Sequence, residues 1–125
     1  MHAFERLLDY ELSQSVRHRR YMTVAMFCLK DSFLDLVELL REDVRRSDEA
    51  FLYKDRFVVL MGTTSKEEAI NAVNRYGAGL DGYFDLRCSI SSFPDDGKTS
   101  LELLNILKQR LKTAMTLDNG VLVAQ

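Results

Sequence analysis

Several groups of residues in this chain carry chemistry that a folded domain could use. The stretch FLYKDRFVVLMG, residues 51–62, places Asp55 beside Lys54 at the polar tip between two apolar runs, with Arg56 following. Asp31 is a second acid, preceded by Lys30. Two carboxylates at one edge of a sheet are the start of a divalent-metal site. Here Lys30, Lys54 and Arg56 surround them and would pair with them first. The expectation is that Asp31 caps a helix and Asp55 is the tip of a turn, with no metal bound. Arg17-His18-Arg19-Arg20 and Arg45-Arg46 are cation clusters at predicted helix ends, where they complement the helix dipole. The first cluster also suits an acidic partner or nucleic acid. Ser89, Ser91 and Ser92 have no base nearby in sequence, so nucleophilic catalysis has no support. His2 and His18 lack a Cys or His at ligand spacing. Gly77, Gly79 and Gly82 follow a helix and do not open one, so they form no phosphate loop.

The elements that must position these residues come from 125 residues, enough for one domain spanning 1–125. Hydrophobic and charged fractions of 46% and 29% are those of a soluble globular domain. A net charge of −2 does not predict a nucleic-acid binder. No apolar run is long enough to span a membrane, and acids in MHAFERLLDYE exclude a signal peptide. Cys28 and Cys88 fall in predicted buried strands and read as reduced thiols of a cytoplasmic protein.

Phe4, Leu8, Leu12 and Val16, with Leu7 beside them, predict an amphipathic helix over 3–18. YMTVAMFCL, 21–29, is a strand covered on both faces. Phe33, Leu36, Val37, Leu40 and Val44 predict a helix over 32–46. A hairpin pairs Ala50–Tyr53 with Arg56–Met61. Two overlapping capping boxes, Thr64 with Glu67 or Ser65 with Glu68, open a helix with Ala69, Ile70, Val73 and Tyr76 inward. Gly77, Gly79 and Gly82 end it. YFDLRCSISSF, 83–93, alternates as a strand, and Pro94-Asp95-Asp96-Gly97 turns. Thr99 with Glu102 caps a helix bearing Leu104, Leu107, Leu111 and Ala114 on one stripe. Asn119-Gly120 turns into a short last strand, GVLVA. Without the first and last helices and the final strand, the order is β-α-β-β-α-β. That is the ferredoxin-like, or palm, arrangement of an α+β domain: an antiparallel-core sheet with helices packed around it.

With these elements in place, the chain resembles GGDEF domains, the diguanylate cyclases. FERLLDYELSQSVRHRRYMTVAMFCL resembles their opening helix F-x-x-x-L-x-x-E-L, arginine cluster and first palm strand. LVELLREDVRRSD resembles the next helix, ending in R-x-x-D. DRFVVLMGTTSKEEAINAVNRY resembles the strand and helix after the signature turn. CSISSFPDDGKTSLELLNILKQRLKTA resembles the tail S-I-G…P-x-D-G…E-E-L-L…A-D-x-A-L-Y-x-A-K. The similarity runs from about residue 4 to 123.

The resemblance implies condensation of two GTP molecules to cyclic di-GMP. Two acids would hold the metals that neutralise the triphosphate, and turn glycines would let the backbone approach the nucleotide. The positions that would do this are altered. The turn reads Tyr53-Lys54-Asp55-Arg56-Phe57: both glycines are replaced, Asp55 keeps the third acid, Arg56 reverses the fourth charge, and Phe57 keeps the aromatic. Cys28-Leu29-Lys30-Asp31-Ser32-Phe33 runs straight into the helix, without the residues that would hold metal and guanine. In the tail, Leu107-Lys108 replaces A-D, Met115 replaces the last lysine, and Ser91 replaces the glycine of S-I-G. The expectation is therefore a degenerate GGDEF-like domain with no enzyme activity and no cofactor. It would act in bacterial signalling through a protein partner or a second copy of itself. The alternative is a cyclic di-GMP receptor. Arg45, with Arg46 as helper, would fork onto phosphate or the guanine Hoogsteen edge, and Asp48 would accept from guanine N–H groups.

Overall fold

Among the described residues, five strands form one sheet, and helices cover both of its faces. The computed structural model describes residues 3–29, 49–53, 56–80, 86–116 and 122–123. Helix α1 spans Ala3–His18, β1 Met22–Leu29, β2 Glu49–Tyr53 and β3 Arg56–Gly62. Helix α2 spans Lys66–Leu80, β4 Leu86–Phe93, α3 Ser100–Thr116 and β5 Leu122–Val123. The helix expected over 32–46, residues 83–85, Gly82 and the Asn119-Gly120 turn lie outside the described residues. The strand order is β2-β3-β1-β4-β5. The first four strands are antiparallel neighbours, and β5 joins β4 in parallel. β1 is central and buried on both faces from Met22 to Cys28, as its uniform apolarity implies.

Register divides the core in two. Met22, Val24, Met26 and Cys28 share a face with Val58 and Leu60 of β3, and pack with α1 and α3 through Phe4, Leu8, Leu12, Leu103, Leu107 and Leu111. Phe27, Val59, Met61, Cys88 and Ile90 lie on the other face and are buried. Helix α2 packs on β1 and β4 there, through buried Ala69, Ala72 and Val73. Cys28 pairs across the strands with Arg87 and Cys88 with Phe27, so the two thiols point to opposite faces. Both are buried, and neither forms a disulfide among the described residues.

The stripe of α1 departs from expectation at its end. Phe4, Leu8 and Leu12 are buried, Leu7 packs against the same cluster, and Val16 is 59% exposed while Ser15 is buried. Steps of four residues overshoot a helical turn by roughly 40° each, so by Val16 the row has rotated off the core. The helix stops where Arg19 adopts φ 54° and the Arg20 N–H donates to the Ser15 carbonyl at 2.9 Å. That left-handed residue costs about 1 kcal/mol when it is not glycine.

Of the two capping boxes before α2, the fold selects Ser65 with Glu68. The Glu68 N–H donates to Ser65 Oγ and the Ser65 N–H to Glu68 Oε1. Thr64 instead donates to the Gly62 carbonyl, and its own carbonyl accepts from Thr23. Gly77 and Gly79 do not end α2, which continues through them to Leu80. Helical backbone bonds need no side chain, so each glycine costs about 1 kcal/mol relative to alanine without stopping the helix.

Strand β4 also corrects its expectation of in–out alternation, because every residue from Arg87 to Phe93 is buried. Its polar side chains hold α3 to the sheet. Ser89 donates to the Leu107 carbonyl at 2.8 Å and Ser91 to the Leu103 carbonyl at 3.0 Å. Arg87 donates to the Ala114 carbonyl at 2.8 Å. Ala114 lies in the last turn, where carbonyls lack helical partners and α3 has no basic residue of its own. On the opposite face, Ser92 and Thr23 hydroxyls bond at 2.7 Å.

The turn after β4 is built on Asp96. Its Oδ1 accepts from Lys66 of α2 and Arg110 of α3, both at 2.9 Å, and its Oδ2 accepts from the Ser92 N–H at 2.8 Å. Arg110 also donates to the Ile90 carbonyl. Gly97 must be small here, since a Cβ would sit 2.9 Å from the Glu102 Cβ. Beyond it, the Glu102 N–H donates to Thr99 Oγ1 and caps α3 as expected. Burial pushes the Asp96 carboxyl up, but the bonds from Arg110, Lys66 and the Ser92 N–H together hold it below its ordinary value. Its stabilisation is therefore complete above the unfolded value near 3.9 and is lost as pH falls through the lower folded value. Asp96→Asn should cost about 3 kcal/mol at neutral pH, because Lys66 and Arg110 lose a largely buried counter-charge. The gap to wild type should narrow in strong acid. Urea unfolding of both proteins at neutral and acid pH checks this.

Candidate functional site

The β2–β3 hairpin, expected to carry the altered turn, is closed by the cross-strand pair Tyr53 and Arg56. Lys54 and Asp55 fall between them and lie outside the described residues, as do Lys30, Asp31, Arg45, Arg46 and Asp48. Tyr53, Arg56 and Phe57 are described, and alternation sends them to different surroundings.

Tyr53 points into the core on the α1 side and is 1% exposed. Its ring packs against Phe4, tilted by 51°, with centroids 5.1 Å apart. Its hydroxyl donates to Glu5 Oε1 at 2.6 Å. Burial, then the bond to Glu5 and its negative charge, push the phenol up to about 12. A ring at the first position of the turn is thus a tether between hairpin and α1. Phe57 points to the opposite face and packs against Phe27 across the strand pair, with centroids 5.9 Å apart. The sequence made Phe57 a core residue but gave no sign that Tyr53 would be one. Glu5, its partner, lies 48 residues away.

Beside the tether is a cleft of about 470 Å³, lined among the described residues by Met26, Tyr53, Arg56, Lys108, Leu111, Lys112 and Met115. Four of the positions at which the sequence departs from the GGDEF pattern meet there: Tyr53 and Arg56 from the turn, and Lys108 and Met115 from α3. The fold brings together changes that lie far apart in sequence. Lys112 joins them, a position the sequence signals only by its i, i+4 spacing from Lys108, which places both on one helix face. The cleft has an apolar floor of Met26, Leu111 and Met115 and a cationic rim of Arg56, Lys108 and Lys112. Its described lining contains no carboxylate. Chemically it offers attraction to anions, with no ligand set for a divalent cation. Among the described residues, no three His, Cys, Asp or Glu side chains gather elsewhere into a metal-binding group.

Ser89, Ser91 and Ser92 are hydrogen-bonded within the fold and are buried. Ser91, at the place of the S-I-G glycine, is the residue that reaches the Leu103 carbonyl.

No protein-family model and no curated protein sequence matches the chain. Solved structures do. The GGDEF domain of YfiN, also named TpbB, from Pseudomonas aeruginosa superposes with a TM-score of 0.81 at 21% identity, covering 97% of this chain and 92% of that one. The GGDEF domain of FimX from the same organism gives 0.83 at 18% identity, covering 98% and 91%. The P. aeruginosa diguanylate cyclase SiaD, solved in complex with its activator SiaC, gives 0.81 at 15% identity, covering 97% of this chain and 58% of SiaD. The expected α+β palm architecture is therefore the observed one, and this chain has the fold of a GGDEF domain.

Proposed function

We propose that residues 1–125 form a single, catalytically inactive GGDEF-like regulatory domain that acts in bacterial signalling by binding a protein partner or a second copy of itself. The observation that carries this reading is the Tyr53 tether. The position that a flexible turn would leave open to a nucleotide holds a ring packed against Phe4 and hydrogen-bonded to Glu5. The cationic rim of Arg56, Lys108 and Lys112 beside it supports the same reading, since two metal ions would be repelled there. A neighbouring fold bound to its activator, SiaD with SiaC, supports a role in protein binding. No described helix is long and apolar enough to cross a membrane, and we place the domain in the cytoplasm. A second reading, a cyclic di-GMP receptor through Arg45, Arg46 and Asp48, rests on the R-x-x-D pattern of the sequence.

With GTP and Mg²⁺ or Mn²⁺, the purified chain should yield no cyclic dinucleotide by chromatography; a product peak would overturn the inactive reading. Calorimetry with cyclic di-GMP separates the second reading. Heat that disappears in Arg45→Ala would establish it, and no heat at high micromolar ligand would remove it. For the tether, Tyr53→Gly should cost about 4 kcal/mol and restore no cyclase activity, because a buried ring is lost. Tyr53→Phe should cost about 1.5 kcal/mol, the worth of a hydrogen bond to a charged partner. That second difference should hold below the ordinary phenol range near 10 and fade as pH rises towards 12, since the folded phenol titrates higher than the unfolded one. Denaturant midpoints of the three proteins across this pH range check both.

A further inference from the structure

The end of α1 lies at the start of β1, the opposite end of that strand from the hairpin turn. Two independent features mark this surface. Arg19 occupies the left-handed position that ends the helix, at φ 54°, where glycine is the residue of least strain. A guanidinium is displayed there against conformational preference, and such outliers point to function. On either side of the Arg17-His18-Arg19-Arg20 run, Val16 and Tyr21 are 59% and 51% exposed. Tyr21 lines two adjoining clefts. One, of about 370 Å³, is also walled by Val16, Arg19, Arg20, Phe93 and Pro94. The other, of about 340 Å³, includes Lys66, Glu67, Ile70 and Asp95. Among the described residues, none of Arg17, Arg19 and Arg20 forms an ion pair.

We propose that this groove docks an acidic segment of a partner protein that carries an apolar anchor. The acids would meet Arg19 and Arg20, and the anchor would lie against Val16, Tyr21, Phe93 and Pro94. The inference rests on the reading of the domain as a protein-binding module and assigns that module a surface and a partner chemistry. A peptide fits better than a continuous polyanion. Glu67 and Asp95 line the second cleft and would repel an anion that runs on across both clefts, as nucleic acid or an anionic bilayer does, whereas a short segment can keep its acids at Arg19 and Arg20; a bilayer also cannot follow a concave surface. Short mixed segments of acid and apolar side chain satisfy both halves of the groove.

The test is fluorescence anisotropy of the intact chain with a fluorescein-labelled peptide, EEELFEE. Saturable binding is expected. It should weaken about tenfold or more in Arg19→Gly, in Tyr21→Ser, and when the central Leu-Phe is replaced by serines. The thermal midpoint of Arg19→Gly should stay unchanged or rise, since glycine relieves the left-handed strain. Absence of saturable binding, or equal binding by Arg19→Gly, overturns the proposal. A lowered midpoint also overturns it, by making Arg19 structural. Stronger binding of labelled oligo-dT or of phosphatidylglycerol vesicles overturns it in favour of those ligands. GTP turnover measured on the same samples keeps the two readings apart. Turnover sinks the inactive domain whatever the peptide does. Failure of the peptide without turnover sinks the groove alone.

Discussion

One carboxylate sets the relative position of three elements. Asp96 accepts from Lys66 at the start of α2, from Arg110 in the middle of α3, and from the Ser92 N–H at the end of β4. Because α2 and α3 lie on opposite faces of the sheet, the charge network wraps around the strand and ties the two layers together. A carboxylate at this depth is tolerated because its bonds are charge-assisted. Everything C-terminal to it follows. With Asp96 in place, Gly97 passes under Glu102, Thr99 caps α3, and the leucine stripe of α3 meets the sheet in register.

Helix α3 is then held by an unusual means for a helix on a sheet. Packing of Leu103, Leu107 and Leu111 supplies the area, but Ser89, Ser91 and Arg87 add directional bonds to its backbone carbonyls. Hydroxyls in a fully buried strand would be costly if unpaired. Aimed at a helix backbone, they fix its axial position instead. Lys108, Lys112 and Met115 are thereby brought to the cleft beside the hairpin. That cleft is shaped by a buried tyrosine and rimmed by cations. Like charges at i, i+4 oppose helix stability slightly, so the rim is kept despite local electrostatics.

Much of the architecture was readable from pattern. The uniform apolarity of 21–29 marked a central strand, and the spacing in 3–18 marked a helix on its face. Thr99 and Glu102 marked the start of α3. The misreadings share one cause. Gly77 and Gly79 read as an end to α2, and 83–93 reads as an alternating strand, because both readings rest on local residue type. In β4 the carbonyls of α3 take up the serine hydroxyls and allow full burial; in α2 the helical backbone continues without side chains. Ser65 with Glu68 rather than Thr64 with Glu67 caps α2 for a similar reason: Thr64 is held by Gly62 and Thr23.

By itself, the sequence determined the order of the described elements, the central strand and the cap of α3. Those are properties of neighbours along the chain, set by periodicity and residue type. Tertiary structure alone decided that Tyr53 faces Phe4 and Glu5, that Arg56 shares a cleft with Lys108 and Lys112, and that Arg19 is displayed beside Tyr21. These depend on strand register and helix rotation. A shift of one residue in either would turn each side chain to another face, and only the packed core selects among the choices.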